Sequence, residues 1–321
     1  MSGTTDFVAA QAANRRNTII LLALLTGLAA LFGYLIGWVF ELEGRDDTPM
    51  FSRVGLVAAA AMAAISIGWS LISLAFGNRM VLAMANAKEI DKPEAPQLFN
   101  VVEEMSIAAG VSMPRVYVME DEALNAFATG TSTSNTAIVV TRGLLGALDR
   151  DELQGVIGHE MAHIANLDTR YMTIVGVTVG LIALVADMIL RALSWGSVNT
   201  RSSSSSSDKK DSGAAILLIV VLIVVAIFAP LAAKAVQMAV SRQREYLADA
   251  TSVQFTRNPN GLISALTKLE AAAKPFPGVS NATQHLFIVN PVQRVTPDTP
   301  ALLATHPDIE ARIARLRNLG V

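Results

Sequence analysis

The sequence predicts a mainly α-helical membrane protein with a small β-sheet, in which four transmembrane helices accompany one polar domain built from two chain segments. Three observations predict this class. Of the 321 residues, 52% are hydrophobic and only 16% are charged, whereas soluble domains carry roughly 25% charged residues. The hydrophobic residues form runs long enough to cross a bilayer, which takes about 20 residues. Two polar stretches with helix and strand periodicity accompany these runs.

Four apolar runs are the predicted transmembrane helices. They cover residues 17–40, 54–78, about 171–195 and 212–233. The first run is too long for a cleaved signal peptide, and a second run follows it closely, so we expect it to remain as an anchor. The third run is interrupted by Asp187 and Arg191, which lie four residues apart and can pair on one helix face.

These runs divide the chain into four regions. We expect an N-terminal tail with two transmembrane helices (1–79), the first part of the polar domain (80–170), two further transmembrane helices with a Ser-rich linker at 201–213 (171–234), and the second part of the domain (235–321). An even number of crossings separates the two polar parts, so both are predicted on one side of the membrane. Arg15 and Arg16 precede the first run and favour a cytoplasmic N-terminus by the positive-inside rule.

The first polar part predicts two helical regions and two short strands. Apolar residues from Leu98 to Ile107 recur at helical spacing, and Gly110 is placed to end that helix. The stretches PRVYVME and TAIVVT are rich in β-branched residues and predict strands, with NAFATG in the loop between them. The stretch from TRGLL to HIANLD predicts a long helix with a break near Asp149.

The second polar part predicts three helices. The stretch SRQREYLADATSVQF continues a helix out of the fourth apolar run, and another helix follows the Asn-Pro turn before GLISALTKLEAAAK. We expect a last helix to start at Pro307, with Ile309, Ile313 and Leu316 on one face.

The stretch GHEMAHIANLD places two of the chain's four histidines four residues apart on the predicted helix. Residues i and i+4 share a helix face, so His159 and His163 can hold one cation between them. Glu160 lies one position further round, where a carboxylate can take a proton from a metal-bound water. The metal lowers that water's pKa from 15.7 to about 7, and a positioned base adds roughly 10²–10⁴-fold in rate. The alternative is a helix that carries two imidazoles without a metal, a pattern that rarely arises by chance.

A catalytic zinc site needs a third protein ligand and one open position. The chain has no cysteine, so this ligand must be His, Asp or Glu, and the longer pattern HExxHxxGxxH is excluded by Asn166 and Thr169. Asp168 is expected to lie on the same helix, too close to the two histidines to complete a tetrahedral site easily. Glu245 is the best candidate, because it lies on a polar helix just after the fourth apolar run; the alternative is an exposed carboxylate paired with a neighbouring arginine. Asp249, four residues further, could orient a ligand imidazole.

Taken together, these motifs resemble the HtpX-type membrane zinc metalloproteases, relatives of the CAAX prenyl proteases. The resemblance covers nearly the whole chain and rests on NAFATG, HEMAHIANLD, SRQREYLADA and a late THP, set among two pairs of apolar runs. It implies a zincin-like (gluzincin) catalytic domain that binds one Zn²⁺ per subunit. The implied site residues are the zinc ligands His159, His163 and Glu245, the general base Glu160, and Asp249 and Asn166 around the ligands.

The resemblance also implies a substrate-binding edge and a role for a late histidine. A strand at Asn125, Ala126, Phe127 and Ala128 would present an open edge beside the zinc, to which an extended substrate can pair by β-strand addition. The residues alone predict only a strand end and a turn there. His306 could approach the zinc, either to block it or to stabilise the oxyanion, whereas the residues alone favour a helix-capping or surface role.

The expected function is that of a membrane-anchored zinc endopeptidase that hydrolyses misfolded or damaged membrane proteins in quality control and stress response. The resemblance implies the plasma (inner) membrane of a prokaryote. Many charged residues between Asp149 and Arg170 predict a site outside the lipid, on the cytoplasmic side. Two alternatives stand: a CAAX-type protease of lipidated proteins, for which four spans are few, and a non-catalytic, metal-bound membrane scaffold, which would not need Glu160. A net charge of −2 predicts no binding to nucleic acid.

Overall fold

The computed structural model describes residues 7–42, 51–178, 242–272, 287–288 and 307–318. The chain divides into two compact units. The first contains Met1–Thr18, Ser73–Val177 and Ala235–Val321, and the second contains Ile19–Ile72 and Thr178–Lys234. The third predicted span beyond residue 178, the fourth span, the linker at 201–213 and His306 lie outside the described residues.

Two long apolar helices occupy the N-terminal quarter of the chain, α1 (Phe7–Leu42) and α2 (Arg53–Met84). Both are long and apolar enough to cross a membrane, over Gln11–Trp38 and over the whole of α2. They account for the first two of the four predicted spans. Within the second unit they approach closely at Gly33, where a Cβ atom would lie 2.5 Å from the carbonyl oxygen of Ala58, as small residues allow between membrane helices.

A four-stranded sheet forms part of the first unit. Its strands are β1 (Lys88–Glu89), β2 (Arg115–Met119), β3 (Ala126–Ser132) and β4 (Asn135–Thr141), in the order β1-β2-β4-β3. Strands β2 and β4 are parallel, and β3 forms an antiparallel hairpin with β4. The prediction that NAFATG lies in a loop is wrong, since its last five residues begin β3. Because both faces of β3 are covered, its residues show no polar–apolar alternation by which the sequence could have revealed it.

The remaining helices of the described chain surround one central helix. After a 3₁₀ turn at Lys92–Glu94, they are α3 (Pro96–Ala109), α4 (Arg142–Ala147), α5 (Arg150–Ala165), α6 (168–178), α7 (Arg242–Thr256), α8 (Pro259–Ala272) and α9 (Ile309–Arg317). Helix α3 ends at Gly110 in the left-handed conformation, as predicted. The predicted break at Asp149 is the N-cap of α5, where Asp149 and Glu152 form a capping box. The last helix begins two residues later than predicted, with Asp308 rather than Pro307 at its boundary.

Helix α5 lies at the centre of the first unit and packs against α3, α7, α8 and β3. Close helix packing depends on glycine, since a Cβ atom on Gly155 would lie 2.7 Å from the backbone nitrogen of Leu262 in α8. Every residue of α5 from Gly155 to Ala165 is buried. This buried stretch carries two histidines and a glutamate, and polar groups in such a place need specific partners because their desolvation is costly.

Candidate active site

The two histidines of α5 point their Nε2 atoms at each other. His159 and His163 are 1% and 3% exposed, and their Nε2 atoms are 3.2 Å apart. Their rings are perpendicular, with centroids separated by 4.8 Å. The i, i+4 spacing on one helix thus brings two potential ligand atoms to one buried point.

A carboxylate holds the other ring nitrogen of each histidine. Nδ1 of His159 lies 2.9 Å from Oδ1 of Asp249 in α7, and Nδ1 of His163 lies 3.0 Å from Oδ2 of Asp168. A carboxylate favours the tautomer in which Nδ1 carries the proton, which leaves the Nε2 lone pair free to bind a metal.

Asp168 reaches His163 because the helix does not continue through it. Helix α5 ends at Ala165, Leu167 adopts a positive φ of 59°, and α6 starts at residue 168. The assumption that Asp168 continues the same helix is therefore wrong. The turn redirects the chain, so that a carboxylate five positions after a ligand faces back towards its ring.

Glu245 completes a cluster of three possible metal ligands. Its carboxylate oxygens lie 3.7 Å from Nε2 of His159 and 3.6 Å from Nε2 of His163. With 2% exposure, it is not the exposed carboxylate of the alternative interpretation. Ligand atoms about 2.0–2.1 Å from a tetrahedral zinc lie about 3.3–3.4 Å apart. Two imidazoles and a carboxylate at these separations fit zinc in donor type and in spacing.

Glu160 is also buried, with 2% exposure. Burial raises the pKa of its carboxyl group to about 7, and the charge of Glu245 acts in the same direction; a hydrogen bond from the backbone N–H of Ala128 and the nearby His163 oppose the rise. A carboxyl group with such a pKa can both accept and donate a proton near neutral pH.

The pKa values of the two histidines move in opposite directions. Burial lowers the pKa of His159, and the guanidinium of Arg312 lowers it further. Burial also lowers the pKa of His163, but its hydrogen bond to Asp168 and the charge of Glu245 outweigh this and raise the pKa to about 9. Without a metal, a proton therefore resides preferentially on His163, and metal binding would displace it.

Arg312 of α9 is a site residue that sequence reasoning missed. It is 1% exposed and holds the carboxylate of Asp249 with two hydrogen bonds, from Nε at 2.9 Å and from Nη2 at 2.6 Å. Its Nη1 lies 3.7 Å from Oε2 of Glu245. The available signal was that an arginine three residues after Ile309 and four before Leu316 falls on the apolar face of its helix.

Comparisons with known proteins identify the family of this chain. Residues 92–320 match peptidase family M48. The chain belongs to this family. It is 44% identical over 310 residues to the protease HtpX homolog of Listeria innocua serovar 6a, covering 96% of this chain and 98% of that one. It is 40% identical over 308 residues to the HtpX homolog of Streptococcus agalactiae serotype III, with the same coverage.

The crystal structure of S. mikatae Ste24p is similar over 96% of this chain and 67% of that chain, at 16% identity and a TM-score of 0.48. The resemblance to HtpX-type metalloproteases is confirmed by the sequence relatives. As an M48 peptidase with two apolar helices long enough to cross a membrane, the chain is a membrane-associated metalloprotease, and its substrates are polypeptides.

The edge strand beside the site is already in contact with another part of this M48 chain. The carbonyl oxygen of Ala126 accepts a hydrogen bond from the backbone N–H of Ile288 at 3.0 Å, and Phe287 packs edge-on against Phe127 with ring centroids 4.9 Å apart. The backbone of Asn125 pairs with Thr141 at the end of β4. Beside this pairing with β4, Ala126 thus offers a backbone carbonyl to Ile288, and Ala128 offers a backbone N–H to Glu160.

Among the described residues, Asn166 makes no hydrogen bond to the three possible metal ligands. Its backbone oxygen accepts a hydrogen bond from Nδ2 of Asn14 at 2.9 Å. Its side chain is 1% exposed, and neither polar atom of its amide has a hydrogen-bond partner within the described part of the chain. His306 belongs to the part of the chain that is not described.

Proposed function

We propose that the chain is a zinc endopeptidase in which His159, His163 and Glu245 hold the metal and Glu160 is the general base. The observation that carries this proposal is the convergence of three buried ligand atoms, together with the buried carboxyl group of Glu160, which can take up a proton. Two histidines and a glutamate are a ligand set of catalytic zinc, with a fourth position open to water or substrate. The fold offers no thiolate alternative, because the chain has no cysteine.

Zinc in such a site lowers the pKa of a bound water to about 7 and polarises a peptide carbonyl as a Lewis acid. Within the chain, Glu160 handles the proton of the attacking water. The carboxylate of Glu160 accepts a proton as the water oxygen attacks the carbonyl carbon. The same carboxyl group then donates that proton to the amide nitrogen as the C–N bond breaks, so that Glu160 ends the cycle ionised.

Asp168 and Asp249 support this chemistry by fixing the orientation of the two imidazoles. Arg312 keeps Asp249 ionised: burial raises the pKa of that carboxyl group, but the guanidinium charge beside it outweighs the effect and lowers the pKa. An ionised Asp249 accepts a hydrogen bond from the Nδ1–H of His159 and keeps the opposite nitrogen available to the metal.

The substrate binds, in our proposal, as an extended chain along β3 between Asn125 and Ala128. Ala126 offers a backbone carbonyl, and Ala128 offers a backbone N–H that already donates to Glu160. β-Strand addition to this edge would bring a peptide bond close to the general base, with main-chain hydrogen bonds giving affinity.

The proposed substrates are misfolded or damaged membrane proteins at the cytoplasmic face of a prokaryotic plasma membrane. Three observations support this proposal: two apolar helices of membrane-spanning length, a candidate active site within a polar segment, and relatives named as HtpX homologs. Four spans, and the quality-control role in stress, remain part of this proposal. A short isoprenylated peptide that competes with an unfolded protein substrate would favour the CAAX-type alternative instead.

The experiment that tests the proposal is Glu160→Gln in the full-length protein purified in detergent. This change keeps the shape of the side chain but removes its basicity. We expect zinc content equal to that of the unmodified protein and cleavage of a loosely folded membrane protein reduced by about 10²–10⁴-fold. Glu103→Gln, at an exposed carboxylate of α3, is the matched control and should cleave normally. Cleavage by Glu160→Gln at the normal rate would refute the mechanism.

A further inference from the structure

Asn14 is a buried amide at the start of an apolar helix. It is 6% exposed in α1, although Arg15 and Arg16 next to it are exposed. Its Nδ2 donates to the backbone oxygen of Asn166 at 2.9 Å and to Oδ1 of Asp168 at 2.7 Å. An amide nitrogen has two hydrogens, so both donors of Asn14 are used on the turn between α5 and α6.

Asp168 connects this amide to the proposed metal site. Its two carboxylate oxygens have different partners: Oδ1 accepts from Asn14, and Oδ2 accepts from Nδ1 of His163 at 3.0 Å. Asp168 is 1% exposed, so its carboxylate depends on protein donors rather than on water. Arg244 is further away, with Nη1 3.7 Å from Oδ1. The donor that fixes the rotation of the Asp168 carboxylate is therefore Asn14.

We propose that Asn14 is a positioning residue of the metal centre, acting through Asp168 to orient His163. The inference rests on the proposed metal site. Residues that hold ligand histidines typically affect metal affinity by 10–100-fold, because they fix ring orientation and tautomer. Asn14 acts one bond further away, through a carboxylate whose conformation must be locked for the ligand to be preorganised.

A purely structural role is the alternative, and the chain provides a control for it. Gln11 lies one helical turn before Asn14, and its Nε2 donates to the backbone oxygen of Ala165 at 2.7 Å. This bond also joins α1 to the end of α5, but it involves neither Asp168 nor a possible metal ligand. Loss of α1 packing would affect Gln11 and Asn14 variants alike, whereas loss of positioning would affect only Asn14 variants.

The experiment compares Asn14→Leu with Gln11→Met in the full-length protein in detergent. Zinc affinity is measured on metal-stripped protein by competition with a chromophoric chelator, and thermal unfolding is measured on the same metal-free samples. We expect Asn14→Leu to bind zinc about tenfold more weakly, and Gln11→Met to bind it as the unmodified protein does. Equal affinities for the two variants would overturn the inference.

A second variant and a double mutant keep the test independent of folding. In Asn14→Ser, the hydroxyl can bond within its own helix, as Thr18 bonds to the backbone oxygen of Asn14, so the fold is retained while the contact to Asp168 is lost. We expect the same loss of affinity. If Asn14 acts through Asp168, adding Asn14→Leu to Asp168→Asn should cause no further loss; additive losses would overturn the inference. Absence of zinc binding by the unmodified protein would instead refute the proposed function.

Discussion

Arg312→Leu should destabilise the protein strongly. Arg312 is buried in α9 and makes two hydrogen bonds to Asp249 of α7. Leucine fills part of the same volume but leaves the Asp249 carboxylate buried, with the imidazole of His159 as its remaining partner among the described residues. The loss of stability is larger than the loss from removing a surface ion pair, because water cannot reach the buried site to replace the guanidinium.

The magnitude follows from this burial. Removing one partner of a buried ion pair costs about 3–5 kcal/mol, whereas a surface pair contributes about 0–1 kcal/mol. For a unit of roughly 200 residues, each kcal/mol lowers the melting temperature by about 2–4 °C. Arg312→Leu should therefore lower the melting temperature by about 6–20 °C.

The assay is thermal unfolding of the metal-free protein in detergent, so that metal binding does not contribute to stability. Lys92→Met is the control, because Lys92 pairs with Glu103 at 3.3 Å in a salt bridge whose side chains are 55% and 52% exposed. It should melt close to the unmodified protein. Arg312→Lys keeps the charge but cannot make both hydrogen bonds to Asp249, so its melting temperature should lie between those of Arg312→Leu and the unmodified protein. If Arg312→Leu and Lys92→Met melt alike, the buried pair does not hold α7 to α9.

Three further predictions concern packing, pH and the edge strand. Gly155→Ala should lower the free energy of unfolding by about 1–3 kcal/mol because the new methyl group meets the backbone of α8. Gly146→Ala, in open space in α4, should be neutral or stabilising by up to about 1 kcal/mol; chemical denaturation that ranks the pair in reverse would contradict this. Burial raises the pKa of Glu152, but hydrogen bonds from Lys268 and Ser264 outweigh this effect and lower the pKa below that of an ordinary glutamate. The ionised carboxylate of Glu152 thus stabilises the protein above the pKa that it has in the unfolded chain, and this stabilisation is lost as the pH falls through its pKa in the folded protein. Between about pH 5 and 3, the melting temperature of Glu152→Gln should therefore fall less than that of the unmodified protein. An equal fall in the two proteins would refute this. Ile288→Pro removes the N–H bound to β3 and should lower KM for an unfolded protein while leaving kcat unchanged; an unchanged KM would show that this contact does not compete with substrate.

Much of the fold could be predicted because its signals are local. The helical spacing in α3, the left-handed cap at Gly110 and the capping box at Asp149 depend on neighbours within a few residues. The pairing of His159 with His163 follows from helix geometry alone. The approach of Glu245, about 80 residues away, was expected from its position after the fourth apolar run and from the family resemblance, because local spacing carries no such information.

The parts that could not be predicted depend on tertiary packing or on an unusual backbone. Leu167 adopts a positive φ, which leucine seldom does and which its identity does not indicate; Asp168 was therefore placed on the wrong helix. Arg312 would ordinarily be expected in solvent, and the nearby carboxylates of Asp249 and Glu245 explain its burial. The residues alone predict a loop where β3 lies, because a strand covered on both faces lacks alternation, whereas the family resemblance implies a strand there.

The bend at Leu167 brings His163 and Asp168 into contact, although a regular helix would hold residues at this spacing apart. At about 100° per residue, five positions of an unbroken helix would turn the Asp168 side chain roughly 140° away from that of His163. A single change that straightens this turn should therefore weaken the proposed metal site even though the three proposed ligands stay in the sequence. A search for damaging substitutions that examines only the proposed metal ligands would overlook a substitution at this turn.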